Sequence, residues 1–209
     1  EPDIMLQAIY HNLAEGGMGL VTVPALEYIL EQGSYYELLR DHIAYYSFDT
    51  LRRLLERNGF AVLEEEMVNR DTIAMIVKKQ PEGEWIAQTA SEQEDFPDSL
   101  AEGYSITRRE IEELVRALEQ EGKKLAIWGA SHQGFTLAAT TKLGEKARYI
   151  IDSAPFKQGK FAPASHLPIV GPDHFHEHPV DAIIITAPGY TDEIAASIRQ
   201  KFGTAVEIR

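Results

Sequence analysis

From residue 124 to residue 208 the chain alternates short apolar runs with helical patterns, and that alternation restricts its fold more than any other feature. Residues 124–128 read as a strand, Gly129-Ala130-Ser131 as a turn and 132–142 as a helix. A strand over 149–152, a long loop rich in proline and glycine, a strand over 181–187, a helix over 191–202 and a strand over 204–208 follow. Strands separated by helices run parallel and are covered on both faces, which predicts a Rossmann-like, three-layer α/β/α sandwich. A preceding helix, with Ile111, Leu114, Val115 and Leu118 on one stripe and Gly122 as its stop, belongs to the same unit.

The first 79 residues are patterned differently. Residues 3–13 place Met5, Ile9 and Leu13 on one helical face, with Gly16-Gly17 read as the helix stop. Residues 19–24 read as a buried strand closed by Pro24. Phe48-Asp49-Thr50 opens a second helix, with Leu51, Leu54 and Leu55 inward and Asn58-Gly59 at its end. Strands over 60–63 and 72–77 are expected to pair antiparallel across Asn69-Arg70-Asp71. These elements make half of an α/β domain, with few strands for a sheet that must stand alone. Residues 80–103 carry seven acids, no bases and two prolines, the composition of a linker. The expected organisation is 1–79, an acidic linker over 80–103, and 104–209.

Charge removes whole classes of partner. With 33 acids against 20 lysines and arginines, the net charge of −13 argues against nucleic acid and anionic membranes, both of which need a basic face. No apolar run approaches the roughly 20 residues that span a bilayer. Glu1-Pro2-Asp3 does not open a signal sequence, so a soluble cytoplasmic protein is the expectation. The absence of cysteine rules out disulfides, thiolate catalysis and cysteine-type zinc sites together.

Four motifs carry possible chemistry. Gly16-Gly17-Met18-Gly19 follows a helix and precedes a strand, the reverse of a dinucleotide-binding loop, and is read as a turn. Gly129-Ala130-Ser131-His132-Gln133-Gly134 has the right context, strand to turn to helix, and its amides suit an anion or polar ligand. It lacks the third glycine of a dinucleotide fingerprint and the Lys-Ser/Thr of a P-loop, and a tight turn required by the fold is the competing account. His174, His176 and His178 alternate and would share a face in a strand, but Pro172-Asp173 signals a helix that splays them, so no metal is assigned to them. The cluster Arg40-Asp41-His42-Ile43-Ala44-Tyr45-Tyr46-Ser47 is the most suggestive. Asp41 can orient the His42 imidazole, Tyr45 follows at i+3, and the segment falls near the C-terminal end of a sheet strand, where open α/β sheets place their sites.

These residues together resemble a known family. Residues 16–24, then Asp41-His42-Ile43-Ala44-Tyr45-Tyr46-Ser47 and the helix that follows, resemble the later half of a class I S-adenosylmethionine-dependent methyltransferase domain. The nearest likeness is to the sugar C-methyltransferases of deoxysugar pathways, with a Tyr-His-Glu-His motif before a Tyr-Phe-Ser-like segment. The 129–134 turn, Asp152, Lys157-Gln158-Gly159-Lys160, Pro163, His166 and Pro168-Ile169-Val170 resemble that family's C-terminal domain in order and spacing. Leu39 stands where the family motif has Tyr, and Asp41 where it has Glu, while His42 is retained.

The resemblance implies a methyl transfer to carbon of a nucleotide-linked keto-sugar. His42 would act as general base at a carbon beside a carbonyl, with Asp41 orienting it and Tyr45 bonding the substrate. Gly129, Ser131, Gln133, Lys157 and Lys160 would hold the substrate's polar or diphosphate end. The family's N-terminal zinc-binding region and its strand–glycine-loop–helix for S-adenosyl-L-methionine have no counterpart here. The chain is therefore expected to be the C-terminal portion of a longer protein and inactive by itself, with a possible homo-oligomer forming through an open sheet edge. Two rivals are a non-catalytic ligand-binding or assembly module and an NAD-linked oxidoreductase. The latter is disfavoured for want of a complete glycine fingerprint followed by an acid-ended strand.

Overall fold

A computed structural model describes residues 1–38, 42–83 and 98–209, and the chain divides into two units, Glu1–Glu102 and Gly103–Arg209. The first unit begins with helix α1 (Pro2–Asn12) and strand β1 (Met18–Pro24). Helix α2 (Leu26–Glu31), a 3₁₀ turn (Tyr35–Glu37), helix α3 (Phe48–Arg57) and strands β2 (Phe60–Val68) and β3 (Thr72–Lys79) complete it. Its sheet has the order β1-β3-β2, with both pairs antiparallel. Asn69 and Arg70 take positive φ of 54° and 73° in the β2–β3 turn, the handedness that suits the twist of a hairpin.

Two expectations fail here for the same reason. Helix α1 turns Leu6 and Tyr10 inward, while Met5 and Ile9 are 60% and 45% exposed. Both stripes have helical spacing, and long-range contacts choose between them. The Tyr10 hydroxyl donates to the Gln80 carbonyl at 2.8 Å, its ring meets Phe60 edge-on, and the Lys79 ammonium lies 4.6 Å from its centre. The helix stops at Asn12, ahead of the Gly16-Gly17 turn. Strand β1, read as buried, is an edge strand alternating between exposed and half-buried residues, with Leu20 68% exposed.

Helix α3 follows its local signals closely. Ser47 caps it in a reciprocal box: Thr50 N–H donates to Ser47 Oγ at 3.2 Å, and Ser47 N–H donates to Thr50 Oγ1 at 2.8 Å. Leu51, Leu54 and Leu55 are buried as expected. At its far end Asp3 receives both Arg57 N–H groups at 2.8 Å and Asn58 Nδ2 at 2.9 Å. Those bonds, the arginine's first, hold the Asp3 carboxyl below the usual carboxylate range.

In the second part of the chain α4 (Ser99–Gln120) begins inside the segment read as linker. Acids belong in a helix's first turn as readily as in a linker, and the Glu102 N–H already donates to the Asp98 carbonyl at 3.0 Å. The rest of that segment, residues 84–97, lies outside the described residues. There follow β4 (Leu125–Trp128), α5 (His132–Thr140), α6 (Leu143–Lys146), β5 (Ala147–Ile151) and β6 (Ile169–Val170). Then come α7 (His174–Glu177), β7 (Ala182–Ile185), α8 (Thr191–Phe202) and β8 (Glu207–Ile208).

The sheet, β6-β5-β4-β7-β8, is parallel throughout. Its alternate residues feed two cores. Leu125, Ile127, Ile150 and Ile184 pack with Val115 and Leu118 of α4, whereas Ala126, Trp128, Ile151 and Ile183 pack with Phe175 and Ile198 of α7 and α8. That is the expected sandwich. Strand β6 lies within the loop expected after 149–152, and the helix expected over 132–142 is broken where Thr141 Oγ1 bonds the Leu137 carbonyl and accepts from the Leu143 N–H. Among the described residues, no helix is long and apolar enough to cross a membrane.

Candidate functional site

The turn after β4 is built by close approach. Gly129 takes φ +122°, and a Cβ on Gly134 would lie 2.4 Å from the Gly129 carbonyl oxygen and 2.6 Å from Thr186 Oγ1. Only a bare backbone lets the first turn of α5 sit so close to the end of β7. Ser131 caps α5, its Oγ accepting from Gly134 N–H at 3.3 Å, and the hydroxyl can still donate.

Asp152, just past β5 and with a side chain 13% exposed, organises the rest. Its Oδ2 accepts from Ala130 N–H at 2.9 Å and from Lys157 Nζ at 3.0 Å, and its Oδ1 accepts from Ala154 N–H at 2.8 Å. Lys157 Nζ also donates to the Ala130 carbonyl at 2.8 Å, and Gln158 Nε2 to the Asp152 carbonyl at 3.0 Å. An acid ending the second strand of such a sheet would ordinarily face a ribose. Here Oδ2 is engaged by the turn and by Lys157 and Oδ1 by the loop after β5, so the arrangement is a self-supported polar ledge.

Of the residues expected to hold substrate, Gly129, Ser131 and Lys157 come together at this ledge. Gln133 is half-buried in the first turn of α5. Lys160 is exposed, its carbonyl accepting the Ile169 N–H at 2.8 Å. Two hydrogens of the Lys157 ammonium hold the turn, which makes Lys160 the less committed cation. Asp152 was named only as part of a resemblance. The signal that marks it is an acid at a strand end 23 positions after a glycine turn.

The second cluster lies in the first unit. Tyr46 bridges Ala25, the residue after β1, and the Leu26 N–H donates to the Tyr46 carbonyl at 2.9 Å. That pins the segment at the C-terminal end of β1. Tyr45 donates its hydroxyl to the Glu37 carbonyl at 3.1 Å, and its ring centre lies 5.8 Å from that of His42, whose side chain is exposed. Asp41, expected to orient His42, lies outside the described residues, as do Leu39 and Arg40. A carboxylate that does reach this segment is Glu27, whose Oε1 accepts the Phe48 N–H at 2.7 Å. Its Oε2 is buried with no hydrogen-bond partner among the described residues. Nothing in the pattern around Glu27 singled it out. Burial raises the Tyr46 hydroxyl above its ordinary range, with Arg57 and Asp3 as the charges that act on it.

A mixed α/β chain with a parallel C-terminal sheet is consistent with the fold that the resemblance implied. Residues 61–206 match the family described as the C-methyltransferase C-terminal domain, and the chain belongs to that family. The match takes in β2 from its second residue, β3, and the parallel sheet as far as β7. Among curated proteins, C-methyltransferase NovU of Streptomyces niveus is 29% identical, over an alignment covering 92% of this chain and 50% of that protein. The chain thus spans about half the length of the relative it matches.

Proposed function

We propose that this chain is the C-terminal portion of a methyltransferase that uses S-adenosyl-L-methionine to methylate a carbon of a nucleotide-linked keto-sugar. The observation that carries the reading is the family match over residues 61–206. In this reading residues 1–79 belong to the catalytic domain and residues 104–209 form the Rossmann-like C-terminal domain.

The described residues do not fit a site for the methyl donor. The glycine turn between β4 and α5 has its Gly129, Ala130 and Gly134 amides bonded to Ile151, Asp152 and Ser131, so they are not open to a donor. What the chain supplies is the substrate side. Carbon becomes nucleophilic when a proton beside the carbonyl is removed, and the exposed His42 imidazole is the group proposed to take it. Tyr45 donates its hydroxyl to the Glu37 carbonyl, which anchors the segment that carries His42, and it is proposed to contact the substrate there. Ser131, Gln133 and Lys160, with the ledge held by Asp152 and Lys157, suit the polar end of a substrate.

The test is His42→Gln in the full-length enzyme. Turnover should fall by about 10²–10⁴ while binding of the donor is unchanged. Near-normal turnover would remove His42 from the chemistry. Titration of nucleotide sugars separates this reading from a scaffold, which would bind none.

A further inference from the structure

The helix expected to splay three histidines does so for only one of them. In α7 the chain rises through a single turn, and the His178 N–H donates to the His174 carbonyl at 3.0 Å. Positions four apart meet on one face of such a turn, whereas positions two apart do not. His176 accordingly lies against Phe202, ring centres 5.8 Å apart, while the His174 and His178 rings face each other at 4.6 Å. Glu177 joins them, and one donor atom from each of His174, Glu177 and His178 lies within 4.8 Å of the other two.

We infer that His174, Glu177 and His178 form a three-ligand site for a divalent transition metal, zinc being the best fit. Two imidazoles and one carboxylate are the donor set that zinc accepts with a fourth position left open, whereas calcium and magnesium want several more oxygens. Metal–nitrogen bonds of about 2.0–2.1 Å need donors roughly 3.3 Å apart, so donors now within 4.8 Å of one another must draw together by up to about 1.5 Å.

The surroundings already hold the turn in place. Phe175, between the ligands, is buried and stacks on Phe202 at 4.0 Å. Tyr149 of β5, also buried, donates its hydroxyl to the His178 carbonyl at 2.6 Å and sets its ring edge-on to His174 at 5.0 Å. These contacts fix the backbone of the turn and one face of the His174 ring, so the three side chains start from a held frame.

The site is separate from the substrate ledge. A cavity of about 440 Å³ is lined by the three ligands together with Lys124, Arg148 and Val180. Lys124 and Val180 precede β4 and β7, and Arg148 lies at the start of β5, so the cavity opens at the amino ends of the strands. The Gly129 turn is at their carboxyl ends. Lys124 and Arg148 weigh against a cation held by charge alone and favour one held by imidazole nitrogen, with an anion as its fourth ligand. A metal here would clip the β6–β7 connection, adding stability by binding only the folded state.

The test uses the 209-residue chain, Zn²⁺ by calorimetry and thermal denaturation, and Co²⁺ by visible absorption. One Zn²⁺ should bind saturably and raise the unfolding temperature reversibly with chelator, and Co²⁺ should give the absorption of a tetrahedral site. His178→Ala and His174→Ala should each weaken binding by more than the roughly 10–100-fold that loss of an outer-shell partner costs, and Glu177→Gln by at least about 10-fold, with His176→Ala unchanged. Circular dichroism checks that each variant is folded. Absence of saturable binding overturns the proposal, as does binding that survives in a folded His174→Ala/His178→Ala double variant or is lost equally in His176→Ala.

Discussion

Replacing Gly134 with alanine tests the tight turn that shapes the proposed substrate ledge. In an ordinary helix this change is favourable by up to about 1 kcal/mol, because glycine loses more backbone entropy on folding. Here the added methyl would stand 2.4 Å from the Gly129 carbonyl oxygen and 2.6 Å from Thr186 Oγ1, with Thr186 Cβ at 3.4 Å. Neither near neighbour can retreat cheaply. The carbonyl belongs to a turn whose Ala130 amide is held by Asp152, and the Thr186 hydroxyl, 3.2 Å from that carbonyl, is itself buried. Overpacking of this severity costs typically about 1–3 kcal/mol beyond the propensity gain. We expect Gly134→Ala to destabilise the Gly103–Arg209 unit by about that amount. Urea unfolding followed by fluorescence is the assay, since Trp128 is buried at the end of β4, one residue before the turn. Thr186→Ala in the same chain removes one of the two clashing atoms, so the double variant should be less destabilised than the two single costs added together. A Gly134→Ala chain as stable as the parent would mean that the turn is not held between α5 and β7 in the way described.

Two further outcomes follow from the first unit. Because Arg57 and Asn58 lower the Asp3 carboxyl below its ordinary value of 3.8, its contribution is present above that pH and fades as pH falls through the lower folded value. Asp3→Asn should therefore lower the denaturation midpoint near neutral pH and match the parent once the medium is acidic enough to protonate Asp3 in the folded chain. Ser47→Ala breaks the capping box of α3 and should cost about 0.5–2 kcal/mol in urea unfolding, while Ser47→Gly should cost only a few tenths.

Where local chemistry suffices, the amino-acid order alone determined the structure. Helix α8 spans the residues that its pattern indicated, and α3 buries Leu51, Leu54 and Leu55, because periodicity and caps act within a turn or two. The Asn69-Arg70 hairpin and the parallel three-layer sheet follow from turn chemistry and from strand–helix alternation in the same way. The family likeness was also legible, since it rests on residues in order along the chain.

What only the tertiary structure decided is which of several locally equivalent choices is used. Met5-Ile9 and Leu6-Tyr10 are equally good helical stripes, and Gln80, Phe60 and Lys79, all 50 or more residues away, select the second. The edge position of β1 depends on which strands pair, and β6 is a two-residue strand that exists only because β5 offers it an edge. Asp152 acquires its role from a turn 22 residues earlier, and His174 and His178 meet because one helical turn brings back what alternation in a strand would have aligned differently. Each of these depends on contacts between residues distant in sequence or on the hand of a single turn, and no local pattern carries that information.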